Sequence, residues 1–202
     1  MIYVSIDIET TGLNFKNCDI IQFAAVIDDL SNPRPIEQLP KLVLYFKQPV
    51  YSGEPYALSM HSEIFKKLAG HNVHTSASED YEIFCEIKDL PYLLKGFLSR
   101  NGCSFTVDSH ATCLKECYKV NVAGKNAAGF DIPFLKEKIS DWDGIYFRHR
   151  VLDPAILYYE KGDETLPDTK KCMERAGISG EVAHTALEDA LVVVKLIRHK
   201  ML

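Results

Sequence analysis

The run Ile2-Tyr3-Val4-Ser5-Ile6-Asp7-Ile8-Glu9 constrains this chain more than any other stretch. Side chains alternate between the two faces of a strand. Ile2, Val4, Ile6 and Ile8 therefore share one face, and Tyr3, Ser5, Asp7 and Glu9 share the other. Such a strand must bury its aliphatic face, and it delivers two carboxylates together near its C-terminal end, the edge where α/β sheets place ligand sites. Neighbouring carboxylates repel, and desolvating them is costly unless a cation lies between them. Hard oxygen donors of this kind suit Mg²⁺ or Mn²⁺. Taken alone, an Asp-Xaa-Glu pair is better explained as two exposed acids at a sheet edge.

After the turn signal Thr10-Thr11-Gly12, apolar runs over residues 20–27 and 42–46 predict two neighbouring strands. Helical spacing marks residues 58–68 and 90–98, with a polar loop expected between them at 71–82. Further on, the pattern predicts a short strand over 120–123, a helix over 129–139 and a strand over 146–152. Helices over 168–176, stopped by Gly177, and over 185–199 follow. There is no internal repeat, low-complexity tract or linker, so the expectation is one α/β domain spanning residues 1–202.

Composition narrows the function classes. No apolar run approaches the ~20 residues that a membrane-spanning helix needs. The N-terminus lacks the basic start and small-residue cleavage site of a signal peptide, so a cytoplasmic, membrane-free protein is the expectation. The six cysteines (Cys18, Cys85, Cys103, Cys113, Cys117 and Cys172) have no framework spacing and read as free thiols. Cys103, His110, Cys113 and Cys117 lack the tight paired spacing of a zinc site. The net charge of −5 argues against a protein that grips long duplex, where phosphate neutralisation supplies most of the affinity. A nucleic-acid enzyme of this composition holds its substrate chiefly through the active site. Local basic clusters, Arg148-His149-Arg150 and Arg198-His199-Lys200, either line an approach or are simply solvated.

Two more places carry chemistry. In Gly124-Lys125-Asn126-Ala127-Ala128-Gly129-Phe130-Asp131, a strand ends in a small-residue turn and a helix begins. Asp131 lies in or beside the first helical turn, where the macrodipole favours an acid, and Pro133 is tolerated there. In His184-Thr185-Ala186-Leu187-Glu188-Asp189-Ala190, Thr185 and Glu188 form a capping-box pattern. That pattern sets His184 just outside the helix and Asp189 one turn in, so that an imidazole and a carboxylate are presented side by side.

With all three motifs in view, the chain resembles the DEDD exonuclease superfamily, in the variant carrying histidine rather than tyrosine. Residues 5–13 resemble its first motif, residues 126–135 its second, and residues 184–190 its third. The resemblance extends over nearly the whole chain. It implies a ribonuclease H-like fold, with a mixed five-stranded sheet whose second strand is antiparallel. It also implies a 3′→5′ exonuclease that releases nucleoside 5′-monophosphates, with two divalent ions, Mg²⁺ or Mn²⁺, held by Asp7, Glu9, Asp131 and Asp189. Asp7 would bridge both ions, Glu9 and Asp189 would complete one site, and Asp131 would support the other. His184 would be the general base, a role its neutral-pH titration suits.

The resemblance further implies that Thr10, Gly12 and Leu13 approach the terminal nucleotide, with Asn126 beside them in the second motif. Residues 57–61 resemble the segment that wedges against terminal bases, so Met60 either contacts substrate or fills the core. Phe130 either stacks on a base or sugar or packs, and Asp153 is read as supporting either the site residues or the fold. Where the family often has histidine before Asn126, Lys125 stands here. Residues 102–119 and 71–82 match no family pattern. The expected substrates are single-stranded DNA or RNA 3′ ends, and nothing in the sequence chooses between them. Dimerisation is common among relatives, and a polymerase is the other protein partner to expect. Two alternatives are a catalytically silent docking module and a phosphoesterase acting on small nucleotides.

Overall fold

The computed structural model describes residues 1–76, 81–104, 106–108, 115–180 and 185–202. Nine strands and seven helices follow one another among these residues: β1 (Ile2–Thr10), β2 (Ile20–Asp29), β3 (Lys41–Phe46), α1 (Pro55–Met60), α2 (Ser62–Gly70), β4 (Thr75–Ser76), β5 (Glu82–Cys85), α3 (Leu90–Arg100), β6 (Thr106–Asp108), β7 (Lys115–Val120), β8 (Val122–Ala123), α4 (Asp131–Lys138), β9 (Ile145–Phe147), α5 (Pro154–Leu157), α6 (Thr169–Ala176) and α7 (Ala186–Met201).

A mixed five-stranded sheet, β5-β3-β2-β1-β8, organises the domain, and the two-residue β4 extends its edge beside β5. As the resemblance implies for the second strand, β2 runs antiparallel to both neighbours; β8 runs parallel to β1 and β5 parallel to β3. The alternation of β1 divides as expected. Val4, Ile6 and Ile8 enter a core shared with α3 (Leu90, Leu94, Phe97) and α4 (Ile132, Phe134, Leu135). Tyr3 enters a second core, on the opposite face, with α2 (Ile64, Leu68) and α7 (Ala190, Val193, Ile197). Buried on both faces, β2 reads as a continuous apolar run rather than an alternating one.

Helix α7 is fastened at both ends. Near its start, Ser5 Oγ donates to the Ala190 carbonyl at 2.8 Å, and Gln22 Oε1 accepts from the Ala186 amide at 3.0 Å. Near its end, the Arg198 guanidinium donates to both oxygens of the buried Asp28, at 2.9 and 2.5 Å, and the Tyr3 hydroxyl donates to Asp28 at 2.8 Å.

Several expectations need correction. Residues 71–82 are not simply a loop, because Thr75–Ser76 pairs with β5, which itself begins at Glu82. An acid opening a strand hid β5. Its carboxylate is accommodated by the Tyr45 hydroxyl at 2.8 Å and Lys67 Nζ at 2.9 Å. The helix expected over 58–68 is two helices, α1 and α2, meeting at His61. The strand expected over 146–152 is continuous only through β9, which pairs with β7. The chain rejoins the sheet at a single bridge between Leu152 and Ala123. The segment from Gly102 to Lys119, which matched no pattern, supplies β6 and most of β7.

Candidate functional site

Three segments meet at the C-terminal end of β1. The strand itself presents Asp7 and Glu9, and its register shifts between Glu9 and Thr10, a bulge of the kind often found beside sites. Helix α7, seated by Ser5 and Gln22, brings Asp189. Thr185 caps it: the Thr185 hydroxyl accepts from the Glu188 amide at 3.4 Å and donates to the Glu188 carboxylate at 2.7 Å. Helix α4 arrives from the other layer with Asp131 as its first residue, and Asp131 Oδ1 accepts the Ile8 amide of β1 at 3.0 Å.

The turn before α4 is tightly specified. Gly124 follows β8 where a Cβ would lie 2.6 Å from the Ala127 Cβ and 2.9 Å from the Ile6 carbonyl, one residue from Asp7. Asn126 takes φ 55°, and its amide donates at 2.9 Å to Asp153 Oδ2, while Asp153 Oδ1 caps α5 at the Ala155 amide. Asp153 therefore has the structural role that its sequence position suggested.

One carboxylate oxygen each from Asp7, Glu9 and Asp189 lies within 4.8 Å of the others. Asp131 is fixed beside this trio and adds its charge to it. Burial is the leading cause of the perturbation at every member. It pushes Glu9 up to about 8, with the Asp189 and Asp131 charges adding. Asp131 and Asp189 are each raised to about 7. Asp7 is held well above the ordinary carboxylate range by burial and then by Asp131, Asp189 and Glu9. Four half-dry acids in one place, all with hard oxygen donors, form a donor set that fits a divalent cation.

Of the sequence-predicted residues, Asp7, Glu9, Asp131 and Asp189 come together, whereas His184 lies outside the described residues. Thr10 is buried, its hydroxyl donating to the Gly12 carbonyl at 2.8 Å. Gly12 is required by close approach, because a Cβ there would lie 2.7 Å from Cys18 Sγ and 2.8 Å from the Glu54 side chain. Leu13 (75% exposed) and Met60 (41% exposed) face solvent, so Met60 is not a core residue. Phe130 packs partly, with its ring 5.4 Å from that of Phe134. His110 and Cys113 of the discounted zinc set lie outside the described residues, Cys103 is a free thiol, and Cys117 is buried.

Sequence reasoning overlooked His61. The residue is buried at the junction of α1 and α2, and its Nε2 lies 3.4 Å from Glu9 Oε2. The available signal was its spacing: four residues after the buried Ala57, it falls on the inward side of the helix pair.

Among known proteins, no family model matches this chain and no curated protein matches it in sequence. The site is therefore read from its own geometry.

Proposed function

We propose that this protein is a 3′→5′ exonuclease of the DEDD type with a ribonuclease H-like fold, acting on single-stranded DNA or RNA ends. One observation carries the reading: Asp7, Glu9 and Asp189 converge within 4.8 Å, with Asp131 anchored to β1 beside them. The order of the elements supports it, since the acids come from the first strand, a mid-chain helix start and the last helix, as the resemblance implies.

In this reading Asp7, Glu9, Asp131 and Asp189 hold two Mg²⁺ or Mn²⁺ ions. Such ions supply positive charge to the scissile phosphate and the departing 3′-oxygen. His184, next to the capping Thr185, takes the proton of the attacking water, a role that suits a group titrating near ~6.5. The exposed Leu13 and Met60 offer apolar surface to the terminal bases. His61, against Glu9, fixes where that carboxylate sits.

The test is a time course on 5′-labelled DNA and RNA of equal sequence. Shortening from the 3′ end in Mg²⁺ or Mn²⁺, abolished by EDTA, is the expected result. His184→Ala should lower the maximal rate by roughly 10²–10⁴-fold, the usual worth of a positioned base. Degradation that persists undiminished in EDTA would refute the reading. An intact oligonucleotide in Mg²⁺ and Mn²⁺ would instead favour a silent binding module or a phosphoesterase acting on small nucleotides.

A further inference from the structure

The edge of the sheet beyond β8 carries a feature that the carboxylate cluster does not use. Between β9 and the Leu152 bridge, the Arg148 amide donates to the Val120 carbonyl and the Leu152 amide to the Val122 carbonyl, both at 2.9 Å. Four residues of chain thus pass two of the neighbouring strand, and the surplus bulges outward as Arg148-His149-Arg150, all exposed. Lys119 is exposed alongside, and Tyr146, 54% exposed, stands on β9 beside it. Together these side chains line an open groove of about 660 Å³.

Among the described residues, the side chains of Lys119, Arg148, His149 and Arg150 form no ion pair or hydrogen bond. Of the nearby acids along the chain, Asp153 accepts the Asn126 and Ala155 amides at 2.9 and 2.8 Å, Asp143 is paired with Lys95 at 3.2 Å, and Asp141 accepts the Asp143 amide at 2.9 Å. The other basic cluster behaves differently: Arg198 is committed to Asp28, His199 to the Tyr158 hydroxyl, and Lys200 to the Tyr158 ring. In a chain of net charge −5, the bulge is thus a local concentration of positive charge that no described residue pairs with, and an exposed aromatic ring stands inside it.

Its placement relative to the acids follows from strand register. Arg148 is level with Val120, Ala123 opposes Ser5, and Asp7 and Glu9 lie two and four residues beyond Ser5 on the parallel strand. At ~3.3 Å per residue, Arg148 lies roughly 17–23 Å from the carboxylates along the sheet. At ~3.4 Å per stacked nucleotide, that is a run of about five to seven nucleotides.

We propose that Lys119, Tyr146, Arg148, His149 and Arg150 form a second contact for the single strand. The cations would hold backbone phosphates and Tyr146 would stack on a base, some five to seven nucleotides upstream of the 3′ end held at the acids. This rests on the nuclease reading for its substrate. It makes the protein favour strands long enough to span both places over dinucleotides.

Binding read without turnover tests it. The probes are fluorescein-labelled single-stranded DNA and RNA of about 15 nucleotides, chosen from known single-strand site sizes, and of about three nucleotides, with the whole protein in EDTA, titrated across salt. Three lost phosphate contacts, at a slope of about −0.7 each, should make the plot of log affinity against log salt shallower by about 2 in Lys119→Ala/Arg148→Ala/Arg150→Ala. Between ~50 and ~200 mM salt this corresponds to a roughly twentyfold smaller loss of affinity than in wild type. The short probe should not register the change. Tyr146→Leu should weaken the long probe severalfold with the salt slope unchanged, as stacking rather than charge requires.

Equal slopes for wild type and triple variant, in folded protein, would overturn the proposal, as would aggregation of the variant without a change in slope, the mark of residues that only protect a sheet edge. A wild type that shows the slope difference but never hydrolyses the strand in Mg²⁺ would refute the nuclease reading and leave this contact standing. Hydrolysis with equal slopes would do the reverse.

Discussion

Replacing Glu9 by Gln keeps the shape of the side chain and removes one charge from the cluster. In the folded chain Glu9 keeps its proton up to about 8, because it is buried and faces Asp189 and Asp131; in the unfolded chain a glutamate titrates near ~4.3. Below the unfolded value both states are protonated and Glu9 costs nothing. As pH rises through the window between the two values, the unfolded chain gives up its proton first, and stability falls. Above the folded value the loss is complete and constant. At about 1.36 kcal/mol per pKa unit, the full penalty approaches about 5 kcal/mol. Glu9 retains 12% of its side-chain surface in water, and solvent screening reduces the expectation to about 2 kcal/mol. For a chain of this size that is roughly 4–8 °C in Tm. Metal-free wild type and Glu9→Gln should therefore melt together near pH 4, and the variant should melt higher by that amount at pH 9. Adding Mg²⁺ should close the gap at pH 9 by stabilising the wild type. A gap that is independent of pH, or a metal-free wild type that melts higher at pH 9, would refute the idea that burial and the neighbouring carboxylates make a charged Glu9 costly in the apo fold.

Three further outcomes test the framework around the site. Arg198→Met strands the fully buried Asp28 and should cost about 3–5 kcal/mol in urea unfolding; a loss under about 1 kcal/mol would mean the guanidinium does not support Asp28. Gly124→Ala, whose methyl would meet Ala127 and the Ile6 carbonyl, should cost about 1–3 kcal/mol and weaken Mn²⁺ binding measured by calorimetry; unaltered stability and metal affinity would refute the close packing there. Ser5→Ala removes the hydrogen bond that seats α7 and should cost about 1 kcal/mol in the same urea assay, so an unchanged midpoint would exclude that tie.

Much of this arrangement was legible in the sequence because period and punctuation are local properties. The two-residue alternation of β1 fixes which residues share a face, and Thr185 and Gly177 mark helix ends through their own hydrogen bonds and backbone angles. What stayed hidden depends on partners far along the chain. Strand β5 opens with Glu82, whose acidity argues for a loop until Tyr45 and Lys67 are folded against it. His61 looked like part of an exposed substrate-contacting segment because its approach to Glu9 spans more than fifty residues. The break between β9 and Leu152 could not be read either, since Arg148 to Arg150 bulge only in relation to the strand beside them.

The seating of α7 also sets a timetable. Asp7 and Glu9 are synthesised well before the helix that brings Asp189 to them. Until residues 186–201 have emerged, Ser5, Gln22 and Asp28 lack the helix they hold, and the two early acids wait without their third companion. A nascent chain can therefore lay down β1, β2 and β3 while the acidic centre stays incomplete. Whatever chemistry the centre performs begins only once α7 closes over a sheet already in place.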